Sequence, residues 1–135
     1  MPYKILEHTA DVRVLVRGSS LEEIFSGALL AMMEVLKPEV VAQKKKTERT
    51  IAVKSADKTA LLVDFLNEVL LAAYNHKEAY DKIFFKSWGE NSLKAVLYGY
   101  TVQSFGEDIK AVTYHEAEIK KDKSGNWHTY LVFDV

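Results

Sequence analysis

The feature that most constrains this chain is a change of hydrophobic period along its length. Two stretches carry apolar residues at three- and four-residue spacing. Around and after them come short alternating runs cut by turns. The first helical stretch places Leu21, Ile24, Phe25, Ala28, Leu29, Met32 and Leu36 on one stripe. Ser20 and Glu23 stand at capping-box spacing before it, and Pro38 stops it. The second runs over 58–76 behind a candidate N-cap, Asp57, and is apolar around most of its circumference. It is therefore expected to be largely buried.

The rest reads as strands. Val12, Val14 and Val16 alternate with Asp11, Arg13 and Arg17, which predicts a half-buried strand over 11–17 behind a first strand over 2–8. Residues 37–48 read as a loop and 49–55 as a strand. Residues 80–88 and 92–102 form a hairpin around Gly89-Glu90-Asn91. Leu93, Ala95 and Leu97 share one face of its second strand, and Val96, Tyr98 and Tyr100 share the other, which suggests a central, covered strand. A strand over 114–121, a turn at Lys123-Ser124-Gly125-Asn126 and a last strand over 127–134 complete the order. Strands joined by turns pair antiparallel. The expected fold is α+β, a single domain over 1–135 with a mainly antiparallel or mixed sheet and two helices packed on it.

Composition narrows function by exclusion. The chain of 135 residues has no cysteine, so disulfide scaffolds, thiolate zinc sites and cysteine nucleophiles are out. With 18 Lys+Arg against 19 Asp+Glu, bulk charge gives no reason for nucleic-acid coating or membrane adsorption. The opening residues hold no apolar stretch of signal-peptide length, and Leu61 to Tyr74 is interrupted by Asp64, Asn67 and Glu68. A soluble cytoplasmic protein is expected. No Walker A loop, GxGxxG, HExxH, GxSxG or EF-hand loop occurs.

Several polar groups remain to be weighed. Lys44-Lys45-Lys46 sits in a stretch, 37–58, with seven Lys/Arg and three Asp/Glu. It reads first as a solvated loop and second as a patch for RNA phosphate. No aromatic residues interleave with it, so a stacking platform for single strands is missing. Asp64, Asn67 and Glu68 lie on one stripe of the second helix, either its wet face or a stripe offered to a partner. His8-Thr9-Ala10-Asp11 reads as turn chemistry. The run from Ile109 to His115 reads first as a strand entry with a half-buried Tyr and His, and second as a site with Lys110 as an anion or partner contact and His115 as a polar site residue. By parity Asp134 shares a strand side with His128 and Tyr130, and Asp11 starts the polar side of its own strand. If first and last strands are neighbours, Asp11, Asp134 and the terminal carboxylate of Val135 can converge. Three carboxylates repel unless a cation or protons neutralise them, and oxygen ligands favour Ca²⁺, Mg²⁺ or Mn²⁺.

Taken in order, five segments resemble the archease family over essentially the whole chain. They are Glu7-His8-Thr9-Ala10-Asp11-Val12, Ser20-Leu21-Glu22-Glu23-Ile24-Phe25, the run from Leu61 to Leu70, Lys110-Ala111-Val112-Thr113-Tyr114-His115, and Phe133-Asp134-Val135. The resemblance implies an accessory protein of the RtcB-type RNA ligase, which joins tRNA halves after taking a guanylyl group from GTP. Such a protein promotes guanylylation and repeated turnover without being a ligase itself. It implies a divalent-metal site at Asp11, Asp134 and the carboxylate of Val135, with Ca²⁺ first and Mg²⁺ or Mn²⁺ as alternatives. Lys110, His8 and His115 fall in family motifs, with Lys110 the expected ligase or nucleotide contact. The partner is the ligase, with tRNA and GTP indirect, no membrane, and no strong direct nucleic-acid binding. Two other readings stay open: a stand-alone metal-dependent phosphohydrolase using His8 or His115 as acid–base, and an RNA-binding chaperone using the loop lysines.

Overall fold

Both helices start at the caps that the sequence supplies. In the computed structural model, which describes residues 2–6 and 11–135, the first helix α1 spans Leu21–Leu36. The Ser20 side chain accepts from the Glu23 N–H at 3.2 Å, while the Glu23 carboxylate turns back onto the Ser19 N–H and hydroxyl. The second helix α2 spans Lys58–His76, and Asp57 accepts from the Ala60 N–H at 2.8 Å. Each helix ends on a lysine in the left-handed region, Lys37 and Lys77, whose N–H returns to the last turn.

The strands are β1 (Tyr3–Leu6), β2 (Asp11–Gly18), β3 (Pro38–Val40), β4 (Lys46–Lys54), β5 (Glu78–Trp88), β6 (Ser92–Phe105), β7 (Ala111–Thr113), β8 (Lys120–Lys121) and β9 (Trp127–Asp134). Every pairing among them is antiparallel. The α+β class, the antiparallel pairing and the two packed helices therefore stand. The strands divide between two sheets, however. A five-stranded sheet runs β1-β2-β9-β7 with β8 also on β9, and a four-stranded sheet has β6 bonded to β3, β4 and β5.

Each helix touches both sheets. That is why α1 is apolar on more than one stripe: Ile24, Phe25, Ala28, Leu29, Ala31, Met32 and Leu36 are all fully buried. Phe25 meets Phe65 of α2 and the edge of Trp88 of β5, with ring centroids 5.7 and 5.1 Å apart. One core thus runs through both helices and the inner faces of both sheets. No helix among the described residues is long and apolar enough to cross a membrane.

Three sequence expectations change. Residues 38–40, expected in a loop, pair with β6, because proline's fixed φ suits an edge strand. The expected strand over 114–121 survives only at Lys120 and Lys121, while Ala111–Thr113 forms the ladder before it. Between them Glu116 has φ 61°, which no strand accommodates. The alternation that suggested a strand arises from Ala117, which is buried, and Ile119, whose N–H donates to the Thr59 hydroxyl at 3.1 Å. The central strand β6 is covered fully on one face, where Leu93, Ala95 and Leu97 are buried, and only in part on the other, where Val96 is buried while Tyr98 and Tyr100 remain partly exposed. The first strand is described over Tyr3–Leu6, and residues 7–10 lie outside the described residues.

Candidate functional site

The last strand carries the candidate site to the rim of the five-stranded sheet. β9 lies between β2 and β7, and its register places Asp134 directly opposite Asp11 on one side and Ala111 on the other. Two aspartates at paired positions sit on the same face of the sheet. The carbonyl of Asp134 accepts from the Lys110 N–H at 2.7 Å, so Lys110 is fastened beside it. Val135 follows with its side chain packed against the core. Asp134 is exposed, while Asp11 is half-buried with Oδ1 shut off from solvent.

A cation two positions along β2 is committed elsewhere. Arg13 shares the Asp11 face, but its guanidinium makes a two-point contact with Glu116, at 2.9 and 3.1 Å, and stacks over Tyr130 at 4.4 Å. Among the described residues no three His, Asp or Glu side chains gather into a metal cage. The two aspartates at the rim offer oxygen donors only. That set fits a hard divalent cation and does not fit zinc's preference for nitrogen and sulfur.

The segment leading to this rim is clamped by α2, a role that helix periodicity does not reveal. Asn67 closes a pair of hydrogen bonds on the backbone of Val112, donating to its carbonyl at 3.0 Å and accepting from its N–H at 2.9 Å. One turn earlier, Asp64 accepts from the Ser55 hydroxyl at 2.6 Å and from the Tyr114 hydroxyl. Further along the helix, the Tyr74 hydroxyl accepts from the Ile109 N–H at 2.7 Å and approaches the Ile109 carbonyl and Asp108. Burial pushes the Tyr74 phenol up to about 12, with the Asp108 contact adding to it. The bond to Asp64, ahead of burial, raises the Tyr114 phenol. The expected wet stripe of α2 is thus a row of fasteners holding 109–114 in place, with only Glu68 left fully in solvent.

The clamp decides where the other candidates stand. His115 lies exposed in a turn, between Tyr114 tied to α2 and Glu116 tied to β2. The Ala117 N–H closes that turn on the Tyr114 carbonyl at 3.2 Å. The Lys110 side chain is exposed and makes no ion pair with the described residues. His8 lies outside the described residues. Lys44, Lys45 and Lys46 belong to the other sheet, where Lys46 opens β4.

The chain matches the family model of the Archease protein family over residues 3–135. It is 37% identical to the protein archease of Methanosarcina mazei, covering 98% of this chain and 95% of that one. Against the protein archease of Pyrococcus abyssi the identity is 34%, over 96% of this chain and 95% of the relative. The fold superposes on the solution structure of Methanobacterium thermoautotrophicum protein 1598 with a TM-score of 0.77, 26% identity and 99% coverage of both chains. It also superposes on a Thermotoga maritima crystal structure described as an archease, possible chaperone, with a TM-score of 0.70 at 24% identity, covering 98% of this chain and 96% of that one.

Proposed function

The chain belongs to the archease family, and from that premise we propose that it is a non-catalytic accessory protein of an RtcB-type tRNA-splicing RNA ligase. In this reading it promotes guanylylation of the ligase and its repeated turnover, working as a partner in the cytoplasm. The observation that carries the reading is the register of β2 against β9, which opposes Asp11 and Asp134 at an open rim. Opposed carboxylates repel, and a divalent cation relieves the repulsion while leaving room for a further ligand. Asp11, Asp134 and the α-carboxylate of Val135 would hold Ca²⁺, Mg²⁺ or Mn²⁺. Bound there, the ion would supply positive charge for phosphate oxygens.

The other residues have roles that follow from their fastening. Lys110 presents an exposed ammonium next to Asp134, suited to an anionic group of the ligase or its nucleotide. His115 stands at the tip of a turn pinned on both sides. Its presentation to a partner therefore costs little ordering entropy on binding. A partner-directed role also agrees with the chaperone description carried by the Thermotoga maritima structure.

The test is a guanylylation and ligation assay with the RtcB-type ligase limiting, GTP and Mn²⁺ or Mg²⁺ present, and this protein added or withheld. Faster labelling of the ligase, and multiple turnovers only in its presence, are expected. Asp11→Ala and Asp134→Ala should lose the stimulation while melting like the parent. No stimulation by the parent protein of an active cognate ligase would overturn the accessory reading. Full stimulation by both folded variants would remove the metal from it.

A further inference from the structure

The outer face of the four-stranded sheet carries residues that this function does not use. On β6, Tyr98 and Tyr100 lie on the strand side opposite the buried Leu97 and are partly exposed, with Tyr100 also packed against the edge of the core. On β5, Phe84 pairs with Val96 on the same outer side and is 58% exposed. Lysines frame these rings. Lys46 pairs with Tyr100, Lys82 with Tyr98, Lys94 with Ala52, and Lys54 with Ser92. Lys44 reaches in from the preceding loop, its Nζ 4.6 Å from the Tyr100 ring centroid. Among the described residues none of these lysines makes an ion pair, and along β4 the register brings one carboxylate, Glu48, opposite Tyr98.

Open aromatic rings on the central and neighbouring strands of a sheet, bordered by free ammonium groups, match the chemistry of unpaired nucleotides. Bases stack on the rings and phosphates meet the lysines. The arrangement is hidden in the sequence because the lysines at 44 and 46 and the rings at 84, 98 and 100 come from different strands. We propose that this face is a binding platform for single-stranded RNA, with bases on Phe84, Tyr98 and Tyr100 and phosphates on Lys46, Lys82 and Lys94. Lys44 then leaves the Tyr100 ring for a phosphate. A duplex would bring phosphates but no free base faces, so it uses half of the site. The platform stands on the sheet face alone. Only the choice of RNA over DNA rests on the proposed role beside an RNA ligase.

Fluorescence anisotropy tests it without the ligase, so its outcome is separate from the activation assay. The probes are a labelled single-stranded RNA of about twelve nucleotides, the same RNA as a duplex, and the DNA of the same sequence. The single-stranded RNA should bind tightest. With about four phosphates engaged, its affinity should fall roughly 50-fold between 50 and 200 mM salt. Phe84→Ala should weaken it roughly tenfold, as expected for loss of one stacked base. Lys82→Gln and Lys94→Gln should each flatten the salt slope by about 0.7. All three positions are exposed, so the variants should melt like the parent. No binding at 50 mM salt, or equal binding of duplex with no effect of Phe84→Ala, would overturn the platform. DNA binding as tight as RNA would overturn the choice of RNA. Absent RNA binding together with loss of ligase association in the same variants would overturn the proposal and assign the face to a protein.

Discussion

The outer faces of the two sheets use charge in opposite ways. On the five-stranded sheet the exposed cation Arg13 is bound to Glu116 and stacked on Tyr130, and the two rim aspartates stand opposite each other. On the four-stranded sheet the exposed lysines make no ion pair among the described residues, and the bound pair lies beneath them. There Arg49 makes a two-point contact with the buried Glu78, at 2.8 and 3.0 Å, and the Tyr80 hydroxyl donates to the same carboxylate at 2.9 Å. A net charge of −1 averages over this contrast and conceals it. On the proposals above, one face would take a cation and the other an anion, across a shared core. Each variant below disturbs one side and asks what happens to the other.

The largest effect belongs to Gly99→Ala. Gly99 faces Tyr80 where β5 carries a bulge before Lys82. A Cβ there would overlap the Ala79 carbonyl oxygen, which is backbone and cannot rotate away. Destabilisation of roughly 4 kcal/mol or more is expected in a urea melt. Because both helices bridge both sheets, the rim should be lost in the same cooperative transition. An unchanged midpoint would mean that the strands slide apart at little cost.

Metal binding sharpens the other side. At a hundredfold excess over its dissociation constant, a cation that binds only the folded state adds about 2.7 kcal/mol. Thermal melts with Ca²⁺ or Mn²⁺ against chelator should show that increment in the parent and none in Asp134→Asn. In chelator the variant should match the parent or exceed it by about 0.2–1 kcal/mol, since one of two opposed like charges is gone. An equal shift in both proteins would place the ion elsewhere.

Asn67→Ala probes the fastening between the two sides. It leaves the N–H and the carbonyl of Val112 without their side-chain partner, a cost of about 2 kcal/mol where water enters only in part. Hydrogen exchange at the Val112 amide should speed up more than at core amides of α1. Stimulation of the ligase should fall with it, because Lys110 and His115 lose their fixed presentation.

What the sequence made legible was local. Ser20, Asp57 and Pro38 mark helix ends through chemistry that neighbouring residues complete, and both helices begin where those caps place them. The pairing of the Asp11 strand β2 with the last strand β9 was legible only as a condition, because parity says which residues share a face and nothing about which strands meet. The same limit hid the split into two sheets. Asn67 shows the third kind of miss: a polar side chain on a helix reads as solvent-facing until a three-residue ladder, Ala111–Thr113, arrives opposite it. Tyr98 and Tyr100 show the fourth. Apolar residues on both faces implied cover, which holds for Val96 on the outer face and only in part for the two rings.

The smallest effect is the most diagnostic for the buried pair. Burial alone would raise the Glu78 carboxyl, but the bonds from Arg49 and Tyr80 outweigh it and hold the group below its ordinary 4.5. The folded state therefore binds this proton more weakly than the unfolded chain. The stabilisation is fully present above pH 4.5 and is lost as pH falls through the lowered folded value. Glu78→Gln keeps the shape and an acceptor for Tyr80 while removing the charge that Arg49 meets. At pH 7 it should cost about 1 kcal/mol. Melts from pH 7 to pH 3 should show a constant gap between parent and variant down to about pH 5, closing below pH 4.5. A gap that persists at pH 3 would show that Gln fails by packing, and that the inner charge of the four-stranded sheet contributes nothing of its own. RNA binding should not follow this gap at all, since the lysines of the outer face share no partner with Glu78.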